Sequence, residues 1–452
     1  MRNLLKCRRG SAAFTTVVAL VPLIGAVALG AEAGSWYVTR QHAQNAADAA
    51  AYSGALRLAC TIAGSCTDAN TVDYRGKEFA AQNAFCNAGD STAYPGRQCV
   101  ASLPTGTSQT VQINQLTSWN GAGGSYVQAV VQQTQPGYLA HALGLSTVNI
   151  GAQAVAKVSS LPTPPCALAL TGSVSFQGSP NINAPNCGMA SDDTANNSLD
   201  FTGGGMSINL GSLSAAGGCA GSSTFCGAAK TYMPPITNPF SNLDSDLTTL
   251  CGANPTLPAT CGLSTSGSCK GGSTLIAYTA MTPCANSGIT TKGNTPVTLS
   301  PGVYFISGTL TLKGGSSITG SGVTIIMLPG ATIDTKGGGT LTLTGPTSAP
   351  SASSLPTAFQ SDASLFQDMA LYDASASAVQ FGGNSNINIT GNMYAPIAAV
   401  TFQGNPTISL GGGKGCGELI AASIAFNGNA TFDDSGCSAA TKPNSQYVQL
   451  VQ

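Results

Sequence analysis

Val174–Ile182 reads VSFQGSPNI, and Val400–Ile408 reads VTFQGNPTI. The same phrase stands twice in one chain, each time as a short apolar run closed by a Gly and a Pro. Looser copies are Leu199–Gly203 (LDFTG), Val379–Asn384 (VQFGGN) and Ile424–Asn429 (IAFNGN). Phe176 and Phe201 are 25 residues apart, Phe381 and Phe402 are 21, and Phe402 and Phe426 are 24. A period of roughly 20–25 residues, with short β-rich runs and Gly/Asn corners, is the signature of a β-solenoid. Asn and Gly suit the corners because they tolerate positive φ. Ile387-Asn388-Ile389 and Thr340–Leu343 alternate apolar and polar, which puts apolar chains inward. The five phenylalanines are expected to stack inside at equivalent coil positions.

Outside the repeat, composition narrows the function. Of 452 residues only 8% are charged, with net charge −1, against about 25% charged in ordinary domains. That excludes a basic nucleic-acid binder. It also excludes a charge-solubilised disordered chain. No arginine follows Arg97, and His141 is the one histidine beyond it. A long chain without arginine is poorly equipped to clamp phosphates or carboxylates.

At the N-terminus, Arg2, Lys6, Arg8 and Arg9 precede the uncharged run Ala12–Ala31. Twenty apolar residues span a hydrocarbon core of about 30 Å. The cationic flank predicts a cytoplasmic N-terminus and export of the rest. Ala31-Glu32-Ala33 also matches a signal-peptidase pattern. The run is longer than a usual signal core, so retention as an anchor is expected. Beyond it, Val38, His42, Asn45, Ala49, Tyr52 and Leu56 recur at helical steps, predicting a second, amphipathic stretch of one long helix.

The run from Arg8 to Ala55, with its Arg-Gly start, Pro22 in the apolar span and the Gln44–Ala50 block QNAADAA, resembles TadG-like Flp pilus-assembly proteins. Residues 125–158, with a strand at Tyr126–Val131 and another ending at Ala154–Ala156, resemble the small β segment of that family. Residues 299–343, Asn392–Pro396 and Cys416–Ile420 resemble the pectin-lyase-like β-helix that follows such anchors. The resemblance implies a mainly β chain in four parts. These are a cytoplasmic basic segment (1–11), a transmembrane helix (12–31), an N-terminal region of helix plus small β segment (32–160), and a right-handed parallel β-helix (161–452). The Cys-rich stretch 212–285 fits no clear coil and is expected as a disulfide-stapled insertion or a set of irregular coils. The Ser/Thr/Pro-rich stretch 344–363 is expected as a loop.

Cys7 lies on the predicted cytoplasmic side, and fourteen cysteines remain outside. An even number in an exported chain predicts disulfides. Local pairing suggests Cys60–Cys66, Cys86–Cys99, Cys166–Cys187, Cys219–Cys226 and Cys416–Cys437. Zinc is disfavoured, because there is no CxxC and only one histidine lies past Arg97.

No catalytic, cofactor or metal site is expected. Asp373–Ser377 matches a D-x-S-x-S metal motif, but another β-helix copy follows it instead of alternating strands and helices. A polysaccharide lyase would need clustered acids and a base. Asp334, Asp362, Asp368, Asp373, Glu418, Asp433 and Asp434 are scattered, and Lys313, Lys336 and Lys414 sit beside glycines as turn residues do. The expected function is therefore that of a non-enzymatic, inner-membrane, single-pass envelope protein. Its bulk would be periplasmic or at the cell surface, serving Flp pilus assembly or adhesion. Expected partners are the bacterial inner membrane, pilin or other pilus-assembly proteins, and surface polysaccharide as a further candidate. A polysaccharide-active enzyme and a pilus-independent carbohydrate-binding adhesin are the alternatives.

Overall fold

The computed structural model describes residues 8–64, 66, 68–100, 102–161, 163–266, 269, 274–291, 293, 296–410, 417–436 and 446–452. The chain forms two compact units, one of residues 1–159 with 447–452, the other of residues 160–446.

In the first unit, α1 runs unbroken from Arg8 to Ala63, with Pro22 inside it. Its C-terminal half packs on a four-stranded sheet of antiparallel β1 (Ser108–Trp119), β2 (Ala122–Pro136) and β3 (Thr147–Ser160), with a last strand, Gln446–Leu450, beside β3. A second helix, α2 (Val72–Gln82), is capped by the Thr71 hydroxyl, which accepts the Tyr74 N–H. The buried face of α1 is made of Ala43, Ala46, Ala47, Ala50, Ala55 and Ala59, set against Val127, Ala129, Val131, Ala154 and Ala156. The predicted stripe is thus corrected. His42 and Asn45 are exposed, and Tyr52 and Leu56 only flank the contact. Small side chains win because they let a helix lie close to a sheet.

The second unit is a parallel β-helix. Its first strands are β4 (Pro165–Ala169), β5 (Val174–Gly178), β6 (Asn181–Ser191), β7 (Leu199–Phe201), β8 (Ser207–Ala215) and β9 (Cys219–Gly221). After α3 (Ser223–Ala228) and α4 (Ser241–Cys251) come β10 (Ala285–Thr290), β11 (Pro296–Leu299), β12 (Gly302–Lys313), β13 (Ser317–Ser321), β14 (Val323–Met327), β15 (Thr332–Gly337) and β16 (Gly339–Thr344). The run ends with β17 (Met369–Asp373), β18 (Val379–Gly383), β19 (Ser385–Thr390), β20 (Asn392–Gly404), β21 (Thr407–Leu410), β22 (Leu419–Gly428) and β23 (Thr431–Asp433), leaving Gln446–Leu450 as β24.

The coils do not stack in chain order. β22 pairs with β4 and β5, and β23 pairs with β6, so the last coil in sequence lies against the first. The chain builds outward from that seam to β9, crosses to the far end through residues 222–284, and returns coil by coil from β10. The segment expected at 212–285 as an insertion or a set of irregular coils divides between the two. Ser212–Ala215 and Cys219–Gly221 still pair as coil strands, and only the remainder is crossover. The expected domain end at 452 also moves, because β24 joins the first unit's sheet.

The phenylalanine ladder runs through the seam. Ring centroids are 5.4 Å apart for Phe381–Phe402, 5.2 Å for Phe402–Phe426, 5.5 Å for Phe426–Phe176 and 4.8 Å for Phe176–Phe201, all stacked. Phe225 of α3 closes that end at 5.1 Å from Phe201. Gly428 turns the corner with φ 75°, and a Cβ there would meet the Gly404 carbonyl oxygen at 2.9 Å. Only glycine allows coils to approach this closely at that φ.

One sheet of the solenoid is apolar on both faces. In register, Phe305, Ile326, Tyr372, Tyr394, Ile420 and Leu168 form an outward row. The crossover covers it with Phe240, Leu243 and Tyr278, and the 345–366 excursion covers it with Leu355, Phe359 and Phe366. Strands buried on both faces read as continuous apolar runs, as VTIIM in β14 does.

Candidate functional site

Among the described residues α1 is the one helix long and apolar enough to cross a membrane, with mean hydropathy 2.0 in its most apolar window. Val17, Leu20, Leu23, Ile24 and Val27 are 49–67% exposed. An apolar span of this length with these aliphatic side chains exposed suits a lipid environment.

Glu32 is the first charge past this run. Its carboxylate accepts the backbone N–H groups of Tyr138 at 2.7 Å, Leu139 at 3.0 Å and Ala140 at 3.0 Å. These donors lead into the 3₁₀ turn Ala140–Leu143, whose first N–H groups have no partner within the turn and carry partial positive charge. The sequence reading placed Glu32 only in a cleavage pattern and missed this role. The signal was an acid at the edge of an apolar span, which is costly unless it is held.

All twelve described cysteines are bonded. The pairs are Cys60–Cys66, Cys86–Cys99, Cys166–Cys187 and Cys219–Cys226, with Cys251–Cys261 and Cys269–Cys284, which sequence left unassigned. Cys416 and Cys437, suggested as a pair, lie outside the described residues, as does Cys7. Cys166, Cys187 and Asp434 bring potential ligand atoms within 4.8 Å of one another. The two sulfurs are joined to each other, so no thiolate is offered to a soft metal.

The acids take separate structural places. Asp373 is buried, and its carboxylate accepts the Ser375 N–H at 2.9 Å, while Ser375 Oγ accepts the Ser377 N–H at 3.2 Å. The D-x-S-x-S stretch is thus a capped turn, and burial pushes the Asp373 carboxyl up to about 7. Asp362 accepts from the Asn242 amide at 3.0 Å. Asp433 accepts the Ser435 N–H at 2.9 Å, and its neighbour Asp434 turns into the interior. Adjacent strand residues point to opposite faces. Lys414 and the Lys336 side chain lie outside what the structure describes.

A half-buried polar cluster fastens the crossover to the coils. Asp244 of α4 accepts from Tyr394 Oη at 2.6 Å and Tyr372 Oη at 3.1 Å, and Tyr394 Oη accepts from the Asn238 amide at 2.8 Å. Burial raises Asp244 above the usual carboxylate range. Burial likewise raises both tyrosines.

A second row of the solenoid is polar and regular. Thr319, Thr342, Asn388, Ser409, Asp433 and Asn183 stand side by side on successive coils. Asn209 Nδ2 donates to Asn183 Oδ1 at 2.9 Å along the row. Strands about 4.7–4.9 Å apart, on the usual spacing, make this a flat array of hydroxyls and amides with one carboxylate.

Comparison with known proteins bears on the N-terminal part. No curated protein matches the chain. Among solved structures the chain is similar to the competence-associated pilin ComZ from Thermus thermophilus, at 10% identity over 78% of this chain and 90% of that chain, with a TM-score of 0.17. A score that low carries no argument about fold or function. The informative match is to the family model for putative Flp pilus-assembly TadE/G-like proteins, and it covers residues 10–57. The chain thus carries a TadE/G-like Flp pilus-assembly segment at its N-terminus, coincident with the apolar span of α1 and most of its alanine face.

Proposed function

We propose that this is a membrane-anchored, non-enzymatic envelope protein serving Flp, or tight-adherence, pilus assembly, with the β-helix as a rigid contact scaffold. One observation carries the reading. The matched segment 10–57 continues without a break from the apolar span into the helix face packed on the first unit's sheet. An anchor rigidly continuous with a folded body suits a part of an envelope assembly. The basic flank favours a cytoplasmic N-terminus and a single inner-membrane pass. Six disulfides fit an oxidising compartment for the rest. Retention of the anchor is favoured because cleavage after Ala33 would remove the carboxylate that holds residues 138–140.

The partners in this reading are pilin or other pilus-assembly proteins. Deleting the gene in the source bacterium should abolish surface pili, with the full chain restoring them. Wild-type piliation in the deletion strain would refute the pilus role. A pilus-independent adhesin for surface polysaccharide is the second reading, favoured by the Thr/Asn/Ser array on the coils. It requires glycan binding that survives in a strain without pili.

A further inference from the structure

We propose that the β2–β3 hairpin tip, residues 137–146, is a second membrane contact that sits in the headgroup layer beside the α1 span. This rests on the membrane-anchor reading above and deepens it.

Glu32 follows directly on the last residue of the apolar run, at a helix rise of about 1.5 Å. The headgroup layer outside the hydrocarbon is about 5–8 Å thick on each side. Whatever Glu32 holds is therefore held within that layer. It holds the hairpin tip, through three backbone N–H groups. The tip closes the end of the β2–β3 ladder, which stays paired as far as Pro136 and Thr147. The Gln44 amide donates to the Gln153 carbonyl where helix and sheet are in contact, and Glu32 is about 18 Å further down the helix at about 1.5 Å per residue. The hairpin reaches along α1 toward the apolar span.

The chemistry of the tip matches that depth. GYLAHALGLS contains no Lys, Arg, Asp or Glu. Tyr138 is 74% exposed, Leu139 44% and Leu145 52%. Tyrosine is a residue of membrane interfaces, with an apolar ring and a hydroxyl for the wet side. Three exposed apolar side chains on one uncharged loop would be a liability in water. In the headgroup layer they are buried. The carboxylate of Glu32 is solvated by the three backbone donors it binds, which lets a charge stand at the hydrocarbon boundary. The occupant of this surface is therefore the lipid leaflet that α1 itself enters. With two contacts, the helix and the tip, the sheet can neither spin about the helix axis nor tilt freely from the membrane.

The test uses the full chain in vesicles of phosphatidylcholine and phosphatidylglycerol whose acyl chains carry bromine near the headgroup. Trp36→Phe and Trp119→Phe remove the native tryptophans, and Tyr138→Trp supplies a single probe at the tip. Emission from this probe should be quenched roughly twofold relative to unbrominated vesicles, as expected of an interfacial aromatic. A chain keeping only Trp119, beside the opposite end of β2, should be unquenched. Leu139→Asp with Leu145→Asp in the probe chain should relieve the quenching. Carbonate extraction of the same vesicles separates the two readings. Release of the protein overturns the anchor itself. Retention of the protein with the tip probe unquenched overturns only the second contact.

Discussion

Phe426→Ala is the most informative perturbation of the solenoid, because Phe426 stands at the seam. It is fully buried and stacks on Phe402 at 5.2 Å and on Phe176 at 5.5 Å, with Phe432 edge-on at 5.6 Å. A Phe→Ala change in a core costs about 3–5 kcal/mol from lost transfer free energy and the cavity left behind. Stacked pairs add about 0.5–1.5 kcal/mol each beyond area, and two are lost here. The neighbouring glycine corners pack backbone on backbone, with a Cβ at Gly178 only 2.8 Å from the Gly428 oxygen, so the site cannot collapse. A cost at the top of the range, ~5 kcal/mol, is expected. Phe225 is the contrast. It is half-buried with Phe201 as its ring partner, and truncating it should cost ~1–2 kcal/mol.

Repeat arrays couple through nearest neighbours, so a seam defect should release both sides. Native-state hydrogen exchange read by mass spectrometry can see this. At about 1.4 kcal/mol per decade, protection of 174–178 and of 400–404 should fall together by about three and a half decades, or several thousandfold. Unchanged exchange at 174–178 in Phe426→Ala would refute the seam as the coupling point. So would a loss no greater than that of Phe225→Ala.

Three further outcomes follow from the structure. Peptide mapping without reduction should link Cys251 to Cys261 and Cys269 to Cys284, and reduction should cost about 2–4 kcal/mol per bridge; a peptide joining Cys251 to any other cysteine sinks the crossover geometry. Tyr394→Phe takes one donor from the half-buried Asp244 carboxylate and should destabilise the β-helix by about 1–2 kcal/mol, whereas an unchanged denaturation midpoint would mean the cluster is not a fastener. The carboxyls of Asp192 and Asp373 are each raised by burial from an ordinary 3.8 to about 7. Between those values the folded state holds protons that the unfolded state has released, so stability should fall as pH rises from about 4 to about 7 and level off above. Asp373→Asn should flatten part of that slope in urea titrations, and an identical slope in the variant would count against it.

The coils were legible because each is a local phrase. Phe, then a glycine corner, then an alternating strand such as Asn386–Ile389 fixes which side chains face in. Their order along the axis was not legible. Nothing local distinguishes Phe426 stacking on Phe176 from Phe426 ending the ladder. The crossover was opaque for a different reason. Its residues take no repeating conformation and are held by Phe240 and Leu243 against the outward row of the coils. A strand apolar on both faces, such as Val323–Met327, hides that second face within one continuous run. The alanine face of α1 was misread because Ala gives little contrast in a periodicity, and larger residues such as Tyr52 and Leu56 drew the stripe to the flank. β1 was missed although Val111 and Ile113 alternate with glutamines, since only part of the strand is buried. Of the site, the span and the first four disulfide pairs could be read from spacing. The Glu32 contact could not, because its three partners lie over a hundred residues away.

The seam also sets an order of events with a testable weak point. β4–β9 are synthesised long before β22, so one side of β4 and β5 waits without its partner. An unpaired strand edge is a template for aggregation, and contacts distant in sequence close slowly. Ala421 and Ala422 of β22 accept the Leu170 and Thr171 N–H groups only when the last coil arrives. Cys166–Cys187 joins β4 to β6 across a separation of 21 residues, so it can form within the early coils alone. It holds the exposed strand in the coil while the rest of the chain is made. Replacing both of these cysteines with alanine should therefore raise aggregation during refolding more than replacing Cys219 and Cys226, which staple the far end away from the seam. Light scattering during dilution from denaturant, with each variant's equilibrium stability measured beside it, checks this. Equal scattering from the two variants at equal stability would show that the waiting edge is not the vulnerable state.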